Sequence, residues 1–307
     1  MESLRDRPGA QASLFFRCDG PTWLVAFGLY TAWGMLVWFH ASLPWWLIAP
    51  AGAYLVGLHF SLQHEAIHSF LSAPKWLRWA VVMPPLGLWQ PFPLYYENHR
   101  RHHQNTHLTE PGVDTESYYL RREQWQALRS TRRAVLLANQ TLAGRVLVGP
   151  LLRLEKLVRR EFAGLRAGDF SHLPHWMVHV ALVAFLFGYI AGIAGMPWWQ
   201  YVVLIAWPAF GLAWVRSFIE HRYGRRPGER TAIIESNWFW GLQFLNNNFH
   251  AVHHLHPKMQ WWEIPAYWRA NRPRVLAHNG NFHFSGYGEI ARRWLFKPVF
   301  VPAHPRW

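Results

Sequence analysis

Long apolar blocks alternate along the chain with stretches rich in arginine. Four blocks are apolar enough to cross a bilayer: residues 21–39, 44–62, 176–195 and 197–219. About 20 residues rising about 1.5 Å each cover the hydrocarbon core. The first two blocks are separated only by His40-Ala41-Ser42-Leu43 and the last two by almost nothing, so the pattern predicts two helical hairpins. Their tips are alike: Leu43-Pro44-Trp45-Trp46 and Met196-Pro197-Trp198-Trp199. Proline suits the first turn of a helix, and paired tryptophans suit the membrane interface. Neither tip carries Lys or Arg, whereas residues 75–166 and those after His221 carry many. Cytoplasmic loops collect positive charge, so the tips are expected outside, with both termini and the long connection in the cytoplasm. The expected fold is an all-α integral membrane protein with four transmembrane helices beneath which a cytoplasmic helical cap sits. Residues 1–20 and 271–307 are expected as cytoplasmic terminal segments around a membrane domain at 21–270. In a bacterium the location would be the inner (plasma) membrane.

Within the connection, residues 84–93 (PPLGLWQPFP) are apolar but broken by four prolines. They are too short to span and read as an interfacial or re-entrant piece. Residues 121–166 place Leu136, Leu137, Val146, Leu151, Leu154 and Val158 at helical spacing among arginines. That predicts an amphipathic helical pair, its polar face in water or its apolar face on the inner leaflet.

Composition changes the picture in three respects. The net charge of +14 would suit a nucleic-acid binder, but the basic residues flank apolar spans, so no nucleic-acid partner is expected. Membrane lipid headgroups are the natural partner of that charge. The single cysteine, Cys18, excludes an intramolecular disulfide, a cysteine zinc site and a self-supplied iron–sulfur cluster. The first twenty residues are polar, and no signal peptide is expected there.

The chemistry lies in the histidines. Residues 64–68 read HEAIH, residues 99–103 HRRHH and residues 250–254 HAVHH. On a helix, positions i, i+3 and i+4 share a face, so each box presents its imidazoles to one side. His221, at the inner end of the fourth block, matches the depth of His64 and His68. All nine fall on the cytoplasmic side of the expected topology, where they can converge. One metal takes four or five nitrogens, so nine suggest two metals. Imidazole suits zinc, copper, iron and nickel. Closed zinc sites commonly use thiolates, and only Cys18 is present. A nitrogen-rich, open pair of redox metals is better matched by iron with dioxygen.

The boxes, their order, the two hairpins and the histidine ending the fourth block resemble the integral-membrane fatty acid desaturase superfamily over residues 20–270. That superfamily also holds hydroxylases, alkane hydroxylases, carotenoid ketolases and an alkene-forming fatty acid decarboxylase. The resemblance implies two non-haem iron ions, O2 as co-substrate and a fatty acyl or other long aliphatic lipid as substrate, with desaturation the favoured outcome. It implies His64, His68, His99, His102, His103, His221, His250, His253 and His254 as ligands. It also implies an external electron donor, such as a ferredoxin or rubredoxin with its reductase; Arg100, Arg101, Arg121 and Arg122 would suit an acidic one. Two departures are visible. The first box has Glu65 where many relatives carry Asp. Ser217 stands where animal acyl-CoA desaturases have an asparagine that holds a metal-bound water, which makes Asn246–Asn248 candidate substitutes.

HEAIH alone also matches a zinc hydrolase motif with glutamate as base, a reading in which the other box histidines have no place. With iron, Glu65 is expected to orient a ligand imidazole. Glu110, Asp114 and Glu116 form an acidic cluster after the second box, and Asp114 and Glu220 are expected to accept from imidazole N–H groups. Asn247 and Asn248 are expected to make polar contact with the site. His59, His107 and His256 break the box pattern and are expected in supporting roles. His40, His172, His175 and His179 are expected at the interface or in packing.

Overall fold

The computed structural model describes residues 13–306 apart from Leu71 and Thr106. Residues 1–12, where the absence of a signal peptide was expected, lie outside the described residues. The chain is mostly helical. The helices used below are α1 (Gly20–Trp38), α2 (Trp45–His68), α3 (Phe92–Gln104), α4 (Gly149–Arg166), α5 (Leu173–Ile193), α6 (Trp198–Ser217), α7 (Trp238–Gln243), α8 (His250–Leu255) and α9 (Ile264–His278).

Among the described residues, α2, α5 and α6 are long and apolar enough to cross a membrane. The two hairpins are as expected in position. A short 3-10 turn at His40–Ser42 joins α1 to α2, and Pro44 and Pro197 start α2 and α6. α1 has 19 residues and no charged side chain, but Trp23, Trp33, Trp38 and Tyr30 dilute its hydropathy. α2 is longer than the apolar pattern predicts. Its 24 residues extend about 36 Å against the roughly 30 Å of a bilayer's hydrocarbon, and His64 and His68 lie in its last turns.

α2 is the hub, packing against α1 and α6. Ile48, Val56, Leu58, Ile190, Ile205 and Ala209 form the core between them. Gly52 lets α6 approach closely: a Cβ there would lie 2.6 Å from Cγ1 of Ile205. α5 leaves Met177, Val180, Phe185 and Ile193 exposed, as a lipid-facing helix should. Residues 84–90 run without helix between these elements. Their carbonyls find side-chain donors: Tyr201 Oη donates to Leu86 O at 2.9 Å, and His179 Nε2 lies 3.0 Å from Leu88 O. Irregular backbone at membrane depth needs such partners.

The expected amphipathic pair at 121–166 is instead four helices: Arg122–Ala127, Ser130–Ala138, Leu142–Leu147 and α4. Thr141 caps the third by accepting from Gly144 N at 2.9 Å, and Gly149-Pro150 starts α4. The strength of these local start signals breaks what periodicity alone reads as continuous. α4 exposes Leu151, Val158 and Phe162 alongside its arginines. A two-residue parallel pair, β1 (Ile233–Ile234) and β2 (His283–Phe284), tethers the chain after α9 to the site. Residues beyond 270 share cores with those before it. Phe282, Phe284 and Ile290 pack with Ile234, and Val275 packs with Val252.

Gly52→Val should destabilise the protein by about 1–3 kcal/mol through overpacking against the stiff Ile205 side chain. Thermal unfolding in detergent should register the loss. Gly188→Ala, with open space around its Cβ, should behave like the parent.

Candidate metal centre

The eight box histidines and His221 converge, in two groups. His64, His68, His99, His103 and His253 form one; His102, His221, His250 and His254 form the other. Within each group, the ligand atoms lie within 4.8 Å of one another. Helix geometry explains the sorting. Residues i and i+4 are offset by about 40° around the axis, so each such pair stays together: His64 with His68, His99 with His103, His250 with His254. The i+3 histidine falls about 60° to the other side and crosses over. His102 therefore joins the second group and His253 the first. His221 follows α6 and completes the second group.

The donor geometry fits metal ions. His253 Nε2 is 3.0 Å from His103 Nε2, and His250 Nε2 is 3.0 Å from both His221 Nε2 and His254 Nε2. Two nitrogens each about 2.1 Å from a shared ion and at right angles are about 3.0 Å apart. Nε2 of His68, His99 and His102 are shielded from solvent and have no hydrogen-bond partner. Buried polar atoms are commonly paired, and these three are free to bind an ion.

Electrostatics keep most of these rings in the ligand form. Burial, followed by the neighbouring imidazoles, holds His250, His253 and His254 well below the usual imidazole range. Burial likewise pushes His221 down to about 3 and lowers His99. Neutral imidazole is what a metal binds. His102 is the exception. Burial would lower it, but the Glu116 charge and the Asp114 hydrogen bond raise it to about 9. Burial works against both carboxylates as well, yet their imidazole partners hold Asp114 low and Glu116 well below the usual range.

Carboxylates and carbonyls fix the ring orientations. His102 Nδ1 donates to Asp114 Oδ1 at 2.8 Å, and His99 Nδ1 to Glu116 Oε1 at 3.0 Å. Asp114 is itself held by Thr109 N at 2.8 Å and Glu116 N at 2.9 Å. His221 Nδ1 lies 3.3 Å from Arg230 O. Glu220 lies 3.5 Å from His250 Nδ1 and pairs with Arg216 at 2.9 Å; burial pushes its carboxyl up to about 7. Asn247 touches both groups, with Nδ2 3.3 Å from His64 Nε2 and Oδ1 3.2 Å from His250 Nδ1.

Two expected contacts are made elsewhere. Glu65 accepts from Ser69 Oγ at 2.6 Å rather than from an imidazole. On α2 it stands one residue, about 100°, from His64. Asn248 donates to Ile234 O at 2.6 Å and to Ser236 Oγ at 3.2 Å, away from the histidines. Glu116 and the Arg230 carbonyl are partners that spacing did not single out. The acidic cluster signalled the first; nothing in the sequence signals the second. His256 bonds Tyr267 Oη at 2.7 Å, and His107 lies 3.1 Å from Glu110, both outside the groups.

A cavity of about 720 Å³ adjoins the site. It is lined by Gly57, Phe60, Trp89, Phe210 and Phe244, and Trp89 stacks on Phe210 at 4.7 Å. Arg145, Arg153 and Lys156 line it too, Arg153 lying 5.6 Å over the Trp89 ring, together with the carboxylates of Asp114, Glu116 and Glu155. Arg145 is buried over the Tyr118 ring at 3.8 Å, and its Nη1 and the Nε of Arg153 are shielded without partners. Asn98 and Glu116, one bond from His99, line its wall.

Asp114→Asn should leave the helices intact and weaken metal retention by about 10–100-fold, since it frees the His102 ring. Equilibrium dialysis of metal against a chelator should measure it.

Comparison with known proteins agrees with this site. The chain is 24% identical over 222 residues to the acyl-CoA C20 Delta5-desaturase of Anemone leveillei, covering 69% of this chain and 64% of that protein's length. The sequence model of the fatty acid desaturase family matches residues 40–286, a span that contains every histidine of both groups. The chain belongs to the fatty acid desaturase family.

Proposed function

We propose that this protein is a membrane-embedded, O2-dependent diiron desaturase acting on a fatty acyl chain with an anionic head. The observation that carries the reading is the pair of histidine groups, five and four nitrogens strong, at the end of a membrane-crossing helix. Family membership supports an oxidoreductase acting on acyl lipid. The first group would hold one iron and the second the other. Two irons with O2 supply an oxidant strong enough to remove hydrogen from an unactivated C–H bond. Asp114 and Glu116 keep the protons on Nδ1 of His102 and His99 and so leave Nε2 free to bind. Asn247 ties His64 to His250 and holds the spacing between the groups.

The cavity supports the substrate class. Its aromatic side chains accept hydrocarbon, and the unpartnered nitrogens of Arg145 and Arg153 attract a carboxylate or phosphate. In this reading α1 is the fourth span, and the metal groups and both termini face the cytoplasm. Two electrons per turnover come from an external donor such as a ferredoxin or rubredoxin with its reductase. The donor would dock on the basic cytoplasmic face.

Mass spectrometry of lipids from cells expressing the protein should reveal acyl chains lighter by two hydrogens. His254→Ala should abolish them while the membrane fold persists; an active variant contradicts the assignment of ligands. Arg153→Ala should raise KM about tenfold or more for an acyl-CoA, with kcat little changed. For an uncharged ester of the same chain, KM should stay the same.

A further inference from the structure

We propose that the segment Ser236–Phe244 is a re-entrant element inserted into the bilayer beside α2, with Trp238 and Phe239 at its tip in contact with lipid hydrocarbon. The sequence alone places this stretch in the cytoplasm, after the last span.

The contacts place it otherwise. Ala232 O accepts from Ala251 N at 2.9 Å, within the third histidine box, so the chain starts at the level of that box. It then climbs to Phe239, whose carbonyl accepts from Tyr54 Oη at 3.0 Å. Tyr54 is ten positions before His64, about 15 Å up the helix toward its outer end. From there α7 descends along α2. Gln243 O accepts from Ser61 Oγ at 2.7 Å, the Gln243 amide packs over Gly57, and Asn247 meets His64. The partners on α2 advance from 54 to 61 to 64 as the segment advances from 239 to 243 to 247. The excursion therefore lies alongside the middle of a membrane-crossing helix.

Its surface fits that position. Trp238 is 78% exposed and Phe239 40%, an arrangement that costs free energy in water and none in hydrocarbon. The exposed rings continue the lipid-facing surface of the helices beside them. Non-helical backbone at such depth needs internal partners, and it has them: Tyr54 takes Phe239 O, and Asn237 Oδ1 accepts from Trp240 N at 3.3 Å. Phe244, at the base of α7, lines the cavity.

The inference rests on the reading that α2 and α5 span the membrane, and the test separates the two. Cys18 is the lone cysteine, so Cys18→Ser gives a clean background for nitroxide labels. Labels would be placed singly at Trp238→Cys, Phe239→Cys, Val180→Cys on the exposed face of α5 and Arg274→Cys on the exposed surface of α9. The protein is reconstituted in phosphatidylcholine vesicles, and collision with O2 and with a water-soluble nickel chelate is measured by power saturation. Positions 238 and 239 should match 180, with an oxygen-to-nickel ratio several-fold above that at 274. If 180 is lipid-exposed while both 238 and 239 resemble 274, the insertion is wrong and the spanning reading survives. If 180 itself resembles 274, the spanning reading fails and takes the insertion with it. Two tip positions guard against one label that disturbs folding.

Discussion

Nine imidazoles, most of them held neutral, gathered in one space set the terms for the rest of the structure. Their lone pairs converge to 3.0 Å, and three of the nitrogens have no protein partner. Such an arrangement is unfavourable alone and favourable around cations, because each ring gives up water and regains nothing until something positive meets its nitrogen. The buried carboxylates make sense on the same terms. Asp114, Glu116 and Glu220 carry negative charge that a pair of metal ions would balance.

The scaffold serves that convergence. α2 carries His64 and His68 in its last turns, where α3 and α8 bring theirs. α6 ends just before His221. The irregular stretches at 84–90 and 236–248 look like interruptions, yet each is pinned by side chains from the spanning helices. They fill the space between the helices and wall the cavity. Rigid helices carry the ligands, and the irregular segments shape the volume in which a chain can lie.

Much of this was legible in the sequence, for physical reasons. The box spacing follows from the helical period, and the hairpins follow from apolar runs with Pro-Trp-Trp tips. How nine histidines divide into two groups was not legible, because it depends on which helices face each other. Once those are placed, the i, i+4 rule sorts the pairs. Glu65 misled because its neighbour is a ligand, whereas one residue along a helix is a turn of about 100°. Asn248 misled because its amide is taken up by Ile234 O and Ser236 Oγ, a tertiary contact that spacing does not record. The long connection was read as two helices because periodicity carries no record of caps. The climb of residues 236–244 along α2 was invisible, because its evidence is tertiary: hydrogen bonds to Tyr54 and Ser61.

Metal analysis of protein purified without chelators tests the central claim most directly. The two histidine groups predict two irons per chain, lost together with activity on chelation and restored by ferrous ion. A single zinc per chain, or full activity in iron-free protein, would contradict it.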